Sequence, residues 1–420
     1  MRPQHWLLLI SLYFLQGFPS GLLVHAMPPL LRASGAPLEL IGLMKLLALP
    51  WIFRFLWAPY VDRYFLPQLG AHRSWILCMQ SLVIVGVLGL MLADLSRLNT
   101  LDLVIIFSVI FLINLFCATQ DIATDALAVK LLPSHLRGLG NSVQVSGYKI
   151  GLLFGGNAIL WGLDLVGWHT TLLLMALTIL LCLLPAFRFD ENRFFPSGPT
   201  ASPSAQNSDH SLNWLWQQFL TYARGPGIPF WLFTLGIYKI GDSLGSAMIK
   251  PLLVDMGVRL SEIANLTLTG SLAGMLAAVL GGTLYTWVGP RFCLLLFGIL
   301  QGAALGAYTL VTSETSFPVL VSLSIFEQCA DGMATVALFA LMMEHCRKEH
   351  EGMDYSLQAC IQVAVAGIGG VSAGLIAKTF GYTSLFTGAM LVTWVCLIPV
   401  IALFRRDRLS QQAERQFHVK

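Results

Sequence analysis

The chain has 420 residues, 56% hydrophobic and only 11% charged, with a formal net charge of +3 and a mean hydropathy of +0.72. A soluble domain carries about 25% charged residues, so the composition excludes an ordinary globular protein and defines a polytopic membrane protein. The small net charge and the lack of a basic stripe exclude a nucleic-acid partner.

In chain order, the first apolar run, WLLLISLYFLQ, continues to about Leu31 without a small-residue cleavage pattern, so it reads as a transmembrane helix and not as a leader. A hydrocarbon core takes about 20 apolar residues per helix. Twelve spans follow from this, near 6–30, 38–58, 74–94, 102–128, 142–163, 169–187, 228–254, 262–286, 291–312, 317–344, 355–377 and 383–404. Most Lys and Arg residues, among them Arg63, Arg73, Lys130, Arg137, Arg188, Arg347 and Arg405, fall on one side, which places both termini in the cytoplasm. The architecture is therefore all-α, with an N-terminal six-helix bundle over 1–187 and a C-terminal one over 228–404. Residues 188–227 form a cytoplasmic linker, polar at first and then carrying Trp214, Trp216, Phe219 and Tyr222 on an interfacial helix. A charged cytoplasmic tail spans 405–420.

The halves are related. Pro29-Leu-Leu and Gly35, Leu38 and Ile41 recur as Pro251-Leu-Leu and Gly257, Leu260 and Ile263, and Ser142-Val-Gln144 recurs as Ser356-Leu-Gln358. Two parallel six-helix repeats resemble the major facilitator superfamily (MFS). The loop after the second span resembles that superfamily's signature through Asp62-Arg63 and Gly70-Ala-His-Arg73. A charge-and-dipole latch is the expectation, with Asp62 at a helix N-terminus. A solvated turn is the alternative.

The resemblance implies that spans 1, 4, 7 and 10 line a central cavity, and the intramembrane polar residues gather there. They are Gln16, then Gln120, Asp121 and Asp125, then Lys239 and Asp242, then Glu327, Gln328 and Asp331. Lys45 and Arg54 in span 2, Lys149 in span 5 and Lys250 near the end of span 7 are exceptions. Buried charges cost about 2.5–3.5 kcal/mol on insertion scales and mark ion or substrate paths. Glu327, Asp331 and Asp242 lie near mid-span and are the first candidates for proton coupling. Asp121 and Asp125 lie nearer the cytoplasm and serve coupling, an inner gate or a pair with Lys149. Tyr-Lys-Ile-Gly occurs twice, so Tyr148, Lys149, Tyr238 and Lys239 are candidates for binding an anionic or aromatic solute, against the alternative of packed tyrosines.

The segments FLWAPYVDR, QDIATDALAV, SGYKIGLLFGG, YKIGDSLG and FGILQGAALGAY resemble the AmpG-type permeases of that superfamily. The branch includes muropeptide permeases and RhtX/FptX-type siderophore permeases of bacterial inner membranes. The charged tail and HEGMDYSLQACIQV resemble the siderophore side more closely. The resemblance implies a proton symporter, working as a monomer by alternating access, that imports an iron–siderophore such as a pyochelin-like complex. Iron enters only as part of that cargo, and no resident cofactor is implied. The alternative substrate is an anhydro-muropeptide. An integral membrane enzyme or sensor is the remote alternative: the eight cysteines are scattered without a C-x-x-C or a Cys/His metal site, and no H-E-x-x-H, G-x-S-x-G or phosphate loop occurs.

Overall fold

The computed structural model describes residues 2–27, 47, 49–92, 100–195, 212–348 and 350–405. The first copy of the Pro-Leu-Leu repeat, the start of span 2, the polar part of the linker and the tail beyond Arg405 lie outside the described residues, as do the side chains of Trp214 and Trp216.

The described residues are helical and without strands. A bilayer offers no water to stray backbone polar groups, so helices that satisfy their own N–H and C=O groups are the stable solution. In chain order the helices are α1 (Pro3–Gly21), α2 (Leu49–Phe53), α3 (Ala58–Arg63), α4 (Ala71–Gly89), α5 (Thr100–Leu131), α6 (Arg137–Val166), α7 (Trp168–Arg188) and α8 (Glu191–Phe194). The second half holds α9 (Leu212–Ala223), α10 (Ile228–Tyr238), α11 (Ile240–Asp255), α12 (Leu260–Val288), α13 (Pro290–Ala307), α14 (Phe317–Glu344) and α15 (Glu351–Val395).

Among the described residues, seven helices are long and apolar enough to cross a membrane by length and composition. Twelve spans were expected, and several of the differences have visible causes. Span 2 is only partly described, span 7 is broken into α10 and α11, and spans 11 and 12 run together through α15. Within α15, Gly381 adopts φ 80°, a left-handed conformation that breaks the helix and that glycine reaches without a Cβ penalty.

The chain divides into two compact units. Unit 1 comprises Met1–Pro133, Ser146–Phe219 and Cys346–Cys360; unit 2 comprises Ser134–Val145, Leu220–His345 and Ile361–Lys420. In unit 1, α4 packs against α5 and α7, and α1 against α5 and α7. In unit 2, α14 packs against α12 and α13. Apolar side chains face outward as well as inward. On α7, Leu172, Met175, Ile179 and Leu183 are buried, while Leu173, Leu177, Leu180 and Leu184 are exposed. On α12, Leu268, Leu272, Leu276 and Leu280 are exposed at i, i+4 spacing. Such stripes suit lipid and would be a liability in water.

Glycines bring two helices of unit 1 into backbone contact. A Cβ on Gly17 would strike the Tyr148 carbonyl, and one on Gly21 the backbone of Leu152 and Gly156. From the other side, a Cβ on Gly151 or Gly155 would strike the carbonyls of Phe14 or Phe18. Gly17-x-x-x-Gly21 on α1 and Gly151-x-x-x-Gly155 on α6 therefore interlock, in the small-residue mode by which helices associate in lipid.

Candidate functional site

Unit 1 holds the two acids of span 4 around one guanidinium. The 3₁₀ turn Arg54–Leu56, between α2 and α3, directs Arg54 at α5, where Asp121 and Asp125 lie one turn apart. Arg54 forms an ion pair with Asp121, and its second terminal nitrogen is 3.7 Å from Asp125. The Tyr13 hydroxyl donates to Asp125 at 3.4 Å. All three charged side chains are at most 6% exposed. Arg54 is therefore the cation found on these acids, where the sequence had offered Lys149. Arg54 stood there only as an exception, but a buried acid pair demands a nearby cation.

Gln120 also sits differently from the expectation. It is fully buried, accepts from the Gln80 amide at 2.8 Å and donates to Thr124 at 2.9 Å. It thus cross-links α4 to α5 rather than facing a solute. Gln16 is buried as well, at 8% exposure. Tyr148 and Lys149 are half-buried on α6, and the Tyr148 carbonyl lies at the glycine contact with α1.

Unit 2 places Lys239 at the break in span 7, with φ −101° and ψ 5°, between the end of α10 and the start of α11. Its ammonium lies 2.6 Å from Asp331 on α14 and 3.1 Å from Asp242, three residues on. The Thr335 hydroxyl donates to the same Asp331 oxygen at 3.2 Å. Glu327, one turn before Asp331, is 5% exposed and accepts from the Gln328 amide at 2.8 Å. A cavity of about 120 Å³ opens beside Glu327, with Lys250, Ser246, Tyr308 and Gln328 in its wall. Asp242 of span 7 and Asp331 of span 10 thus converge on one ammonium. Tyr238 does not join them: it is 2% exposed and donates to the Leu294 carbonyl at 2.9 Å, so it pins α10 to α13. That removes it from the solute-binding candidates.

The latch residues separate into two structures within unit 1. Asp62, at the end of α3, accepts the backbone N–H of Gly352 at 3.2 Å and of Met353 at 2.8 Å. It caps the N-terminus of α15, where the first N–H groups have no partner within the helix. Lys130 approaches Glu351 at 3.8 Å beside it. Arg73 works elsewhere: its side chain donates to the carbonyls of Ala186 and Phe187 at the end of α7. Arg63 lies over the Tyr64 ring at 5.7 Å. The residue missed in the sequence is Glu191, which takes the His72 and Arg73 backbone N–H groups and lies 2.6 Å from His72 Nδ1. The run Phe-Asp-Glu-Asn-Arg after span 6 was the available signal: it is an acid within reach of a helix start.

Unit 2 carries the repeat's counterpart. Gly138 and Gly282 approach backbone to backbone, and the Ser142 hydroxyl donates to the Ala278 carbonyl at 2.7 Å. The residues 138 and 142 are each 214 positions before Gly352 and Ser356. The helix start that touches the loop after span 2 in unit 1 thus has its equivalent touching the end of span 8 in unit 2.

Burial pushes the Asp62 carboxyl up to about 7, and nearby Glu351 adds to this, against the pull of the two N–H donors and Lys130. A solvated Asp titrates near 3.9. The capped state therefore holds a proton that the released state loses. Its advantage is full below about pH 4 and is lost as pH rises through about 7. In hydrogen exchange corrected for intrinsic rates, protection of the Gly352 and Met353 amides should fall between pH 6 and 8. Asp62→Asn should flatten that profile; an unchanged profile in the variant would remove Asp62 as its source.

Two buried acid–cation clusters within bundles of apolar, lipid-suited helices define a polytopic carrier. The sequence profile of the Major Facilitator Superfamily matches residues 9–360 and 233–418, and the chain belongs to that superfamily. It is a multi-pass secondary transporter and not an enzyme. The chain is 28% identical over 409 residues to the anhydromuropeptide permease of Escherichia coli K12, covering 95% of this chain and 80% of that one. It is 23% identical over 397 residues to putative transporter AmpG 1 of Rickettsia bellii, covering 91% and 93%. Among solved structures, a bacterial homologue of the iron transporter ferroportin in an outward-facing state matches with a TM-score of 0.70 at 16% identity, covering 96% of this chain and 100% of that one.

Proposed function

We propose that the protein is a proton-driven importer of an anhydromuropeptide, with both termini at the cytoplasmic face of a bacterial inner membrane. The observation that carries the substrate is the near full-length similarity to the Escherichia coli anhydromuropeptide permease. The siderophore expectation rested on the tail and on residues 350–363. Neither of the relatives described above is named for a siderophore, and the ferroportin homologue, at 16% identity, speaks for the fold alone. The muropeptide reading therefore replaces it.

Coupling to protons is supported by charge counting. Arg54 faces two carboxyls, and Lys239 faces two with Glu327 beside them. An uncompensated charge in a low-dielectric interior is costly, and protonation of one acid removes it. Each cluster thus offers a place for a proton. Asp331 and Glu327 remain the leading coupling residues, since Asp331 is the most exposed acid of the two clusters, at 25%.

The test offers labelled anhydromuropeptide and an iron-loaded siderophore in parallel to cells that lack their own permeases and express this chain. Uptake of the muropeptide alone is the expected outcome. Uptake of the siderophore with none of the muropeptide would reverse the assignment.

A further inference from the structure

Lys239 is unusual among the charged side chains of unit 2. It interrupts a helix, so its backbone is set between α10 and α11, and two carboxyls compete for its ammonium. The two are not equivalent. Asp242 is three residues on, in the first turn of α11, and is 12% exposed. Asp331 comes from α14, is 25% exposed and lies at 2.6 Å. One partner is built in, and the other is an accessible carboxylate from a separate helix.

We propose that Asp331 occupies the place of a substrate carboxylate on Lys239, and that an incoming carboxylate displaces it while Asp331 takes up a proton. This rests on the reading of the substrate as a carboxylate-bearing peptide conjugate, and it names the residue that reads that carboxylate. The balance closes. Before binding, Lys239 carries +1 and Asp242 and Asp331 each −1. Afterwards Lys239 is held by Asp242 and the substrate carboxylate, each −1, and Asp331 is neutral. One anion and one proton enter together, and the charge of the cluster does not change. The charged groups near Asp331 include Lys239 and Asp242 from across and Glu327 from its own helix. Once Lys239 turns to the substrate, Asp331 gives up the ammonium that lies 2.6 Å from it. Thr335 already donates to the Asp331 oxygen that meets Lys239, so the displaced carboxyl keeps a hydrogen-bond partner on its own helix.

Lys239 is thereby a specificity residue, and Asp331 converts anion binding into proton uptake. Asp331→Asn leaves Lys239 its Asp242 partner and should fold. The experiment titrates the purified full-length protein in nanodiscs with a synthetic anhydromuramoyl tripeptide and with its carboxyl methyl esters, in buffers of different ionisation enthalpy. Wild type should take up one proton per ligand, and where it does so its affinity should fall about tenfold per pH unit. Asp331→Asn should bind with no proton uptake and no such slope. Lys239→Gln combined with Asp331→Asn should bind acid and ester alike. Equal proton uptake in wild type and Asp331→Asn, or undiminished preference for the acid in the double variant, overturns the exchange.

A wild type that binds neither acid nor ester would mean that the substrate reading is wrong, and benzoate then reads the exchange by itself. At pH 8, benzoate should raise the unfolding temperature of Asp331→Asn above its effect on wild type and leave the double variant unchanged. An equal effect on all three overturns the proposal independently of the muropeptide.

Discussion

Replacing Arg54 by Leu should cost about 3–5 kcal/mol of stability, because it strands Asp121 and Asp125 without their cation. Both carboxyls are at most 1% exposed, so water cannot replace the guanidinium. The loss is expected as a lower yield of membrane-inserted protein and a lower unfolding temperature in detergent. The triple variant Arg54→Leu, Asp121→Asn, Asp125→Asn should recover much of it, since a removed pair costs far less than a broken one. Wild-type stability in Arg54→Leu alone would mean that the two acids are already neutral and that the guanidinium does not hold them.

The second large effect concerns the α1–α6 contact. Gly155→Leu should cost about 3 kcal/mol, at the upper end of the usual overpacking range. The atom in the way is a backbone carbonyl, that of Phe18, which cannot rotate aside as a side chain does. Gly151→Leu should behave the same way against Phe14. Gly374→Leu on α15 is the control, because nothing lies within 4 Å of a Cβ there. Thermal unfolding of the three variants in one detergent gives the comparison. Equal stability of all three would show that α1 and α6 do not meet through their glycines.

The apolar runs made most helices legible, since lipid imposes one solution on a long hydrophobic segment. The acid pairs on spans 4 and 10 were equally visible, because a carboxyl among leucines has few innocent explanations. Their partners were harder to read. Arg54 sits in a short irregular stretch, Ile-Phe-Arg-Phe-Leu, whose direction depends on a 3₁₀ turn that hydropathy does not report. Lys239 and Asp242 could be paired from their spacing; Gly241 and Gly245 hinted at an interruption of span 7, but the break falls earlier, at Lys239. Tyr238 reads the same whether its hydroxyl meets a solute or the Leu294 carbonyl, and only packing against α13 decides. The glycines at 17, 21, 151 and 155 acquire meaning only once α6 is laid against α1. Asp62 was placed at a helix N-terminus from its signature, and it is found capping α15. Arg73, from the same signature, serves the end of α7 instead.

The central claim is that surplus buried carboxyls couple a proton gradient to muropeptide entry. Purified protein in liposomes, loaded at alkaline pH and diluted into acidic buffer with labelled anhydromuropeptide, tests it most directly. The account predicts accumulation above the external concentration, abolished by a protonophore and by Asp331→Asn. Equilibration to the external concentration and no further, with or without the gradient, would contradict it.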